Sequence, residues 1–353
     1  MIRDMKAAAL DGLRFLPLFL GFIGLYYVLD KVSFGHPLFG PSITPWNPAP
    51  ALGLVLVMRF GRMAWAPLAI AVLLAEIGVH GQLVSIWVHV VPGLVLATGY
   101  ALLGEVLARR LPRDALLDDR RTLVAWLLRV GIGSLLISLA YLLSLRAAGL
   151  LAPAGWWPGL KHFWVGDGVG IAVMMPLLLW LTSKRGRRRL QRTVLNRESI
   201  GYVLLGVATL WLAFGVGGHS GFKLFYLLFL PIVWAAGRQG MAGAIVCAAL
   251  LQIGVIVAMR VLQYSAVTVA ELQILAMAMA VVGFFVGAVV NEQRRTTQDL
   301  RHSLRLAAAG EMAGALAHEL HHPLTALSAY AGACEQLIER GETGEQLHAA
   351  VRC

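Results

Sequence analysis

LVAWLLRVGIGSLLISLAYLLS, Leu123–Ser144, is apolar for the full length a helix needs to cross a bilayer core, and Arg129 is its single charge. A helix crosses the roughly 30 Å hydrocarbon layer in about 20 residues, and the stretch lacks the period-two alternation of an outer-membrane strand. Comparable runs recur near residues 13–29, 46–58, 63–79, 84–107, 163–182, 200–216, 223–237, 241–259 and 272–290, with 46–58 and 223–237 the short ones. The 353-residue chain is 58% hydrophobic and 14% charged, with a mean hydropathy of +0.72, which excludes a water-soluble globular fold. An all-α protein is predicted: a polytopic transmembrane bundle of about 8–10 spans that continues into a polar helical tail.

Outward from these runs, the charges set a topology. Leu13–Val28 follows Arg3, Lys6 and Arg14 with no small-x-small cleavage site behind it, so it reads as an uncleaved first span. Basic residues crowd every second connection: Arg59 and Arg62, then Arg109 through Arg121, then Lys184–Arg197, then Arg238. The intervening connections hold lone cations such as Lys31, Lys223 and Arg260. By the positive-inside rule the protein is expected in a bacterial inner membrane, multi-pass, with both termini cytoplasmic. The formal charge of +11 is therefore a matter of topology, with the lipid bilayer as partner and no nucleic acid. KRGRRRLQR, Lys184–Arg192, fits a topology determinant, with anionic lipid or nucleic acid as the other chemistry such a run allows. Cys247, Cys334 and Cys353 form neither a CxxC pair nor a disulfide framework.

After Val290 the composition turns polar with NEQRRTTQDLRHSLR, while Leu300, Leu304, Met312, Leu316 and Leu320 keep helical spacing. One helix is expected to leave the membrane and carry an apolar stripe suited to a second copy of itself, as in a homodimeric coiled coil. Within it GEMAGALAHELHHPLTALSAY, Gly310–Tyr330, sets His318 about 200° around the helix from Leu316 and Leu320, facing water. An exposed imidazole can act as a nucleophile, and Glu319 beside it can take or orient the proton on its other nitrogen. Pro323 removes a helical hydrogen bond and is expected to bend the helix one turn further on.

AHELHHPLTAL resembles the H-box of sensor histidine kinases, and GEMAGALAHEL with PLTALSAYAGAC is similar to the branch that carries HELNQPLTAI. That resemblance implies His318 as phosphoacceptor, Glu319 as its acid-base partner and Pro323 as the bending proline of a dimerisation and phosphotransfer hairpin. His321 and His322 stand where the family has Asn and Gln. Since His322 occupies the position that places the dephosphorylating water in many relatives, phosphatase activity is in question. A literal alternative reads His318, Glu319 and His322 as HExxH, two zinc-ligating histidines one turn apart with a glutamate to activate water, although only Glu335, Glu339 or His348 offer a third ligand. An ordinary surface helix is the third reading. A second hairpin helix is expected to begin near Glu345 and to be cut off at Cys353. The kinase resemblance implies ATP and Mg as cofactors, bound by an ATP-binding domain missing from this chain, and a response regulator as the phosphoryl acceptor. No cofactor-binding motif is present in the chain itself.

The membrane half is similar to the bacterial membrane-associated sensor domain of the MASE type, first class. The pieces that carry this are TPWNPAPALGLVLVMRFGRMAW, FWVGDGVGIAVMMPLLLW and LFLPIVWAAGRQGMAGA. Charges inside apolar runs are costly and default to paired or functional roles, which singles out Glu76, Glu105, Arg129 and Asp167. Asp167, between Gly166 and Gly168, is expected to pair with Arg129 or to meet a ligand, and His89 to be packed or interfacial. Trp46, Trp65, Trp87, Trp156, Trp157, Trp164 and Trp180 read as interface anchors. A transporter is the alternative from another class, because broken Gly- and Pro-containing spans also suit substrate passage. The expected organisation is a membrane sensor over 1–290, a signalling helix over 291–309 and a partial phosphotransfer domain over 310–353.

Overall fold

In a computed structural model, the described residues are 2–33, 46–80, 87–110, 119–216, 222–262 and 266–341, with 344 and 349. They are helical almost throughout, and no strand occurs among them. The helices are α1 (Ile2–Ser33), α2 (Ala49–Phe60), α3 (Trp65–Ala75), α4 (Trp87–Arg110), α5 (Arg120–Ala147), α6 (Trp156–Thr182), α7 (Lys184–Val194), α8 (Arg197–Trp211), α9 (Phe229–Gln239), α10 (Met241–Leu262) and α11 (Ala266–Glu339). Among the described residues eight helical stretches are long and apolar enough to cross a membrane, and Leu224–Gln239 is a shorter one. The second hairpin helix expected from Glu345 lies outside the described residues.

Local chemistry starts the helices where they start. Asp119 caps α5 by accepting the Thr122 N–H at 2.8 Å, Ser183 caps α7 through the Gly186 N–H at 2.9 Å, and Asn196 caps α8 through the Glu198 N–H at 3.2 Å. Gly61 and Gly240 end α2 and α9 with φ of +57° and +64° and strongly negative ψ, a backbone region open essentially to glycine. Each glycine follows an arginine by two residues, Arg59 and Arg238, and each joins two apolar helices.

The expected spans 46–58 and 63–79 are two arms of one 31-residue apolar stretch, Ala49–Val79. Gly61 folds it back, so Gly53 on α2 faces Leu68 on α3, whose Cδ1 stands 2.7 Å from where a Gly53 Cβ would be. With 12 and 11 residues the helical arms rise about 18 and 17 Å, short of the roughly 30 Å hydrocarbon core. The turn at Gly61 makes them a helical hairpin, α2 packed against α4 and α6, α3 against α1 and α4.

Residues 1–292 form one compact unit and 293–353 another. In the first, Leu54, Leu68, Tyr100, Trp126, Ile171 and Phe284 are among the fully buried side chains. Small residues let the backbones close up. Gly283 and Gly287 of α11 abut Ile232 and the Met241 backbone, and Gly133 of α5 meets Leu103 of α4. The basic connections are tied together by side-chain contacts: Arg59 to Thr182 (3.1 Å), Arg62 and Arg109 to Glu105 (3.7 and 3.3 Å), Arg120 bidentate to Glu292 (2.6 and 3.1 Å) and Arg238 to Glu198 (2.5 Å). The tryptophans divide differently from the sequence expectation. Trp157 and Trp164 are exposed, but Trp46 and Trp180 are core residues, Trp180 because the start of α7 folds over it.

The tightest approach in the bundle is at Gly170, where any Cβ would collide with the Asn47 carbonyl. Gly170→Ala should therefore lower stability by about 1–3 kcal/mol. Gly131→Ala, with nothing within 4 Å, should be neutral or slightly stabilising. Thermal unfolding of the two variants in one detergent checks the contrast.

Candidate functional site

Asp167 lies near the middle of α6, Trp156–Thr182, and is 1% exposed. Its carboxylate is held by neutral donors from two other elements. The Asn47 amide donates from Nδ2 to Oδ1 at 3.1 Å, and the Tyr100 hydroxyl of α4 donates to Oδ2. Asn47 stands in non-helical backbone just ahead of α2, a conformation that strands main-chain groups unless something meets them. Its own N–H donates to the Gly166 carbonyl at 3.3 Å, and its Oδ1 accepts the Ala49 N–H at 3.2 Å. Gly170, three residues on from Asp167, lets this broken segment lie directly against the α6 backbone. The amino end of α2 thus faces Asp167, and the helix dipole favours a negative charge there.

Glu76 is buried where α3 loosens into the π-helical turn Glu76–His80, and the Tyr141 hydroxyl of α5 donates to its Oε1 at 2.9 Å. The Tyr141 ring in turn stacks on Phe163 of α6, with centroids 4.7 Å apart. Between the two tyrosine-carboxylate pairs is a cavity of about 20 Å³ lined by Tyr26, Asp30, Asn47, Glu76, Tyr100 and Tyr141, closed by Val72, Ala75, Leu96 and Phe163. That is room for about one water molecule. Three buried acids, Asp30, Glu76 and Asp167, and three tyrosines therefore share one corner of α1, α3, α4, α5 and α6. Carboxylates at membrane depth are tolerated only with donors of this kind, and among the described lining residues none is basic. The arrangement suits a proton or a water and is too small for an organic ligand.

The structure brings Asp167 and Glu76 into this cluster and leaves Arg129 out of it. Arg129 is half-buried on α5, and no ion pair joins it to Asp167 among the described residues. The inward face of α5 is Trp126, Val130, Ser134, Ile137 and Tyr141, and Arg129 lies about 100° off that stripe. Glu105 lies with the basic residues Arg62 and Arg109, and His89 is buried in α4. Sequence reasoning missed Tyr26, Asp30, Asn47, Tyr100 and Tyr141. The available signal was a tyrosine hydroxyl inside an apolar run, a group that needs a partner as surely as a charge does.

In the second unit His318, Glu319, His321, His322 and Pro323 are all exposed on α11, which continues through Pro323 to Glu339. The His318 and His322 rings meet edge to face with centroids 4.9 Å apart, and Thr325 Oγ1 donates back to the His321 carbonyl at 2.7 Å. Among the described residues no group of three His, Cys, Asp or Glu side chains is placed to hold a metal ion, and His348 lies outside them.

Among the described residues, eight helical stretches long and apolar enough to cross a membrane define a multi-pass membrane protein. Residues 22–294 match the MASE1 family, a multi-span membrane sensor domain found in signalling proteins, and the chain belongs to that family. No curated protein and no solved structure matches it.

Tyr100→Phe and Asp167→Ala each remove one side of a buried hydrogen bond. The double-mutant cycle of the two should give a coupling of about 1–2 kcal/mol, at the upper end for membrane hydrogen bonds. Unfolding titrations of the four proteins supply the number, and additivity would show that the pair is not energetically linked.

Proposed function

We propose that this chain is the membrane sensor part of a two-component histidine kinase, with His318 as phosphoacceptor and both termini cytoplasmic. The observation that carries the reading is that the last apolar stretch and the AHELHHP segment share one helix, α11. That helix also approaches α6 beside Asp167: a Cβ at Gly168 would stand 3.3 Å from Met277 Cε. A change in charge or hydration around Asp167 alters the packing of α6 on α11, and α11 carries the change toward His318. Differential packing of this kind is what a bistable signalling element requires.

The exposed side chains supply the rest of the reading. His318 is exposed to an incoming phosphoryl group, and Glu319 adjoins it to orient the imidazole so that one ring nitrogen keeps its lone pair. His318 then attacks the γ-phosphorus of ATP held by a domain outside these residues, ADP leaves, and a response-regulator aspartate takes the phosphoryl group. Leu300, Leu304, Met312, Leu316 and Leu320 are between 57% and 68% exposed in the single chain, which supports a homodimer that covers them. The outward-facing basic connections support the cytoplasmic placement of that end.

The test is acid-labile phosphate incorporation in membranes supplied with a cognate ATP-binding domain. His318→Gln should abolish it, and Glu319→Gln should slow it by roughly a hundredfold while membrane insertion is unchanged. Undiminished labelling of His318→Gln would overturn the assignment.

A further inference from the structure

Helix α7, Lys184–Val194, sits between α6 and α8, joined to the first through Ser183 and to the second through Leu195 and Asn196. A helix tied this closely between two membrane spans lies at the membrane surface. One face is spent on the bundle. Gly186 abuts the Trp180 backbone, Leu190 packs on the core, Thr193 is 7% exposed, and Arg189 lies over the Trp180 ring at 5.4 Å. The spacing 186, 189, 190, 193 is one helical stripe, so the remaining positions turn outward.

Those outward positions are Lys184, Arg185, Arg187, Arg188 and Arg192, all exposed, and no acidic residue occurs between Lys184 and Arg197. Positive-inside topology needs only positive charge near a span; it does not need a helix sorted into an outward face of five cations and Gln191 and a face packed on the bundle. The apolar Val194 and Leu195, 50% and 83% exposed, follow at the carboxyl end, where side chains can enter the acyl boundary. Arg59, bonded to Thr182, extends the same basic surface.

We infer that the outer face of α7 is a binding surface for anionic phospholipid, its arginines taking headgroup phosphates and its Leu195 end dipping among the acyl chains. Arginine's planar fork suits phosphate, and each cation near an anionic leaflet contributes about a fivefold preference. Through Ser183 and the Trp180 contact, lipid held on α7 is attached to the end of α6, the helix that carries Asp167.

The full chain in mild detergent, delipidated and then exposed to equal amounts of phosphatidylglycerol and phosphatidylcholine, tests this by native mass spectrometry of the lipids retained. Phosphatidylglycerol should be retained at least about fivefold over phosphatidylcholine. R185Q/R187Q/R188Q/R192Q should bring the two to parity, and added inorganic phosphate should displace little. Should the quadruple variant fail to insert, R185Q/R188Q and R187Q/R192Q each keep half the arginines and should each lose part of the preference. Equal retention by the unaltered chain would overturn the inference. So would a preference that survives the substitutions, or one that inorganic phosphate or a short RNA duplex erases.

Discussion

The contact between Asn47 and the Gly166–Gly170 stretch of α6 is the constraint on which the membrane unit depends. Non-helical backbone at membrane depth is permitted only where protein satisfies its polar groups, and Asn47 stands in such backbone opposite the middle of a span. Its N–H goes to the Gly166 carbonyl, its amide is divided between Asp167 and Ala49, and Gly170 leaves the room for its carbonyl. A side chain at Gly170, or a group without an acceptor at Asp167, would break an arrangement that no lipid could replace.

From that contact the polar core follows. Asp167, once fixed as acceptor for Asn47, takes its second donor from Tyr100, and Glu76 repeats the pattern with Tyr141. Neutral phenols suit this place better than an arginine would, since a cation must itself be stripped of water to reach a buried carboxylate. The cost is a core whose polar groups are few and mutually dependent, so a small change in protonation or hydration shifts several helices together. The adjoining Gly168–Met277 approach places α11 beside the same stretch of α6.

Much of the fold was legible because bilayer thickness leaves little choice for runs such as Leu123–Ser144. The break between the runs 46–58 and 63–79 was legible as well, and the structure places it at Gly61. Asp167 and Glu76 were visible as charges in apolar runs, whereas Asp30 fell at a span end and the tyrosines passed as apolar bulk. The expected partner, Arg129, was chosen by charge; one helical position off the buried stripe of α5 was enough to keep it away. Trp46 and Trp180 looked like interface anchors because sequence shows amphipathic character but not which segment folds over the ring. The helix that carries His318, Glu319 and Pro323 and the exposure of those side chains were legible, being local to one helix.

The coupling between core and output is the central claim, and one comparison tests it most directly. Asp167→Asn and the unaltered chain, inserted to equal levels in the same membranes and supplied with the same ATP-binding domain, are compared for the rate of phosphate incorporation at His318. Coupling through α6 and α11 predicts a rate changed by about tenfold or more in either direction, the range that a coupling of 1–3 kcal/mol gives. Identical rates from two equally well-folded proteins would contradict it.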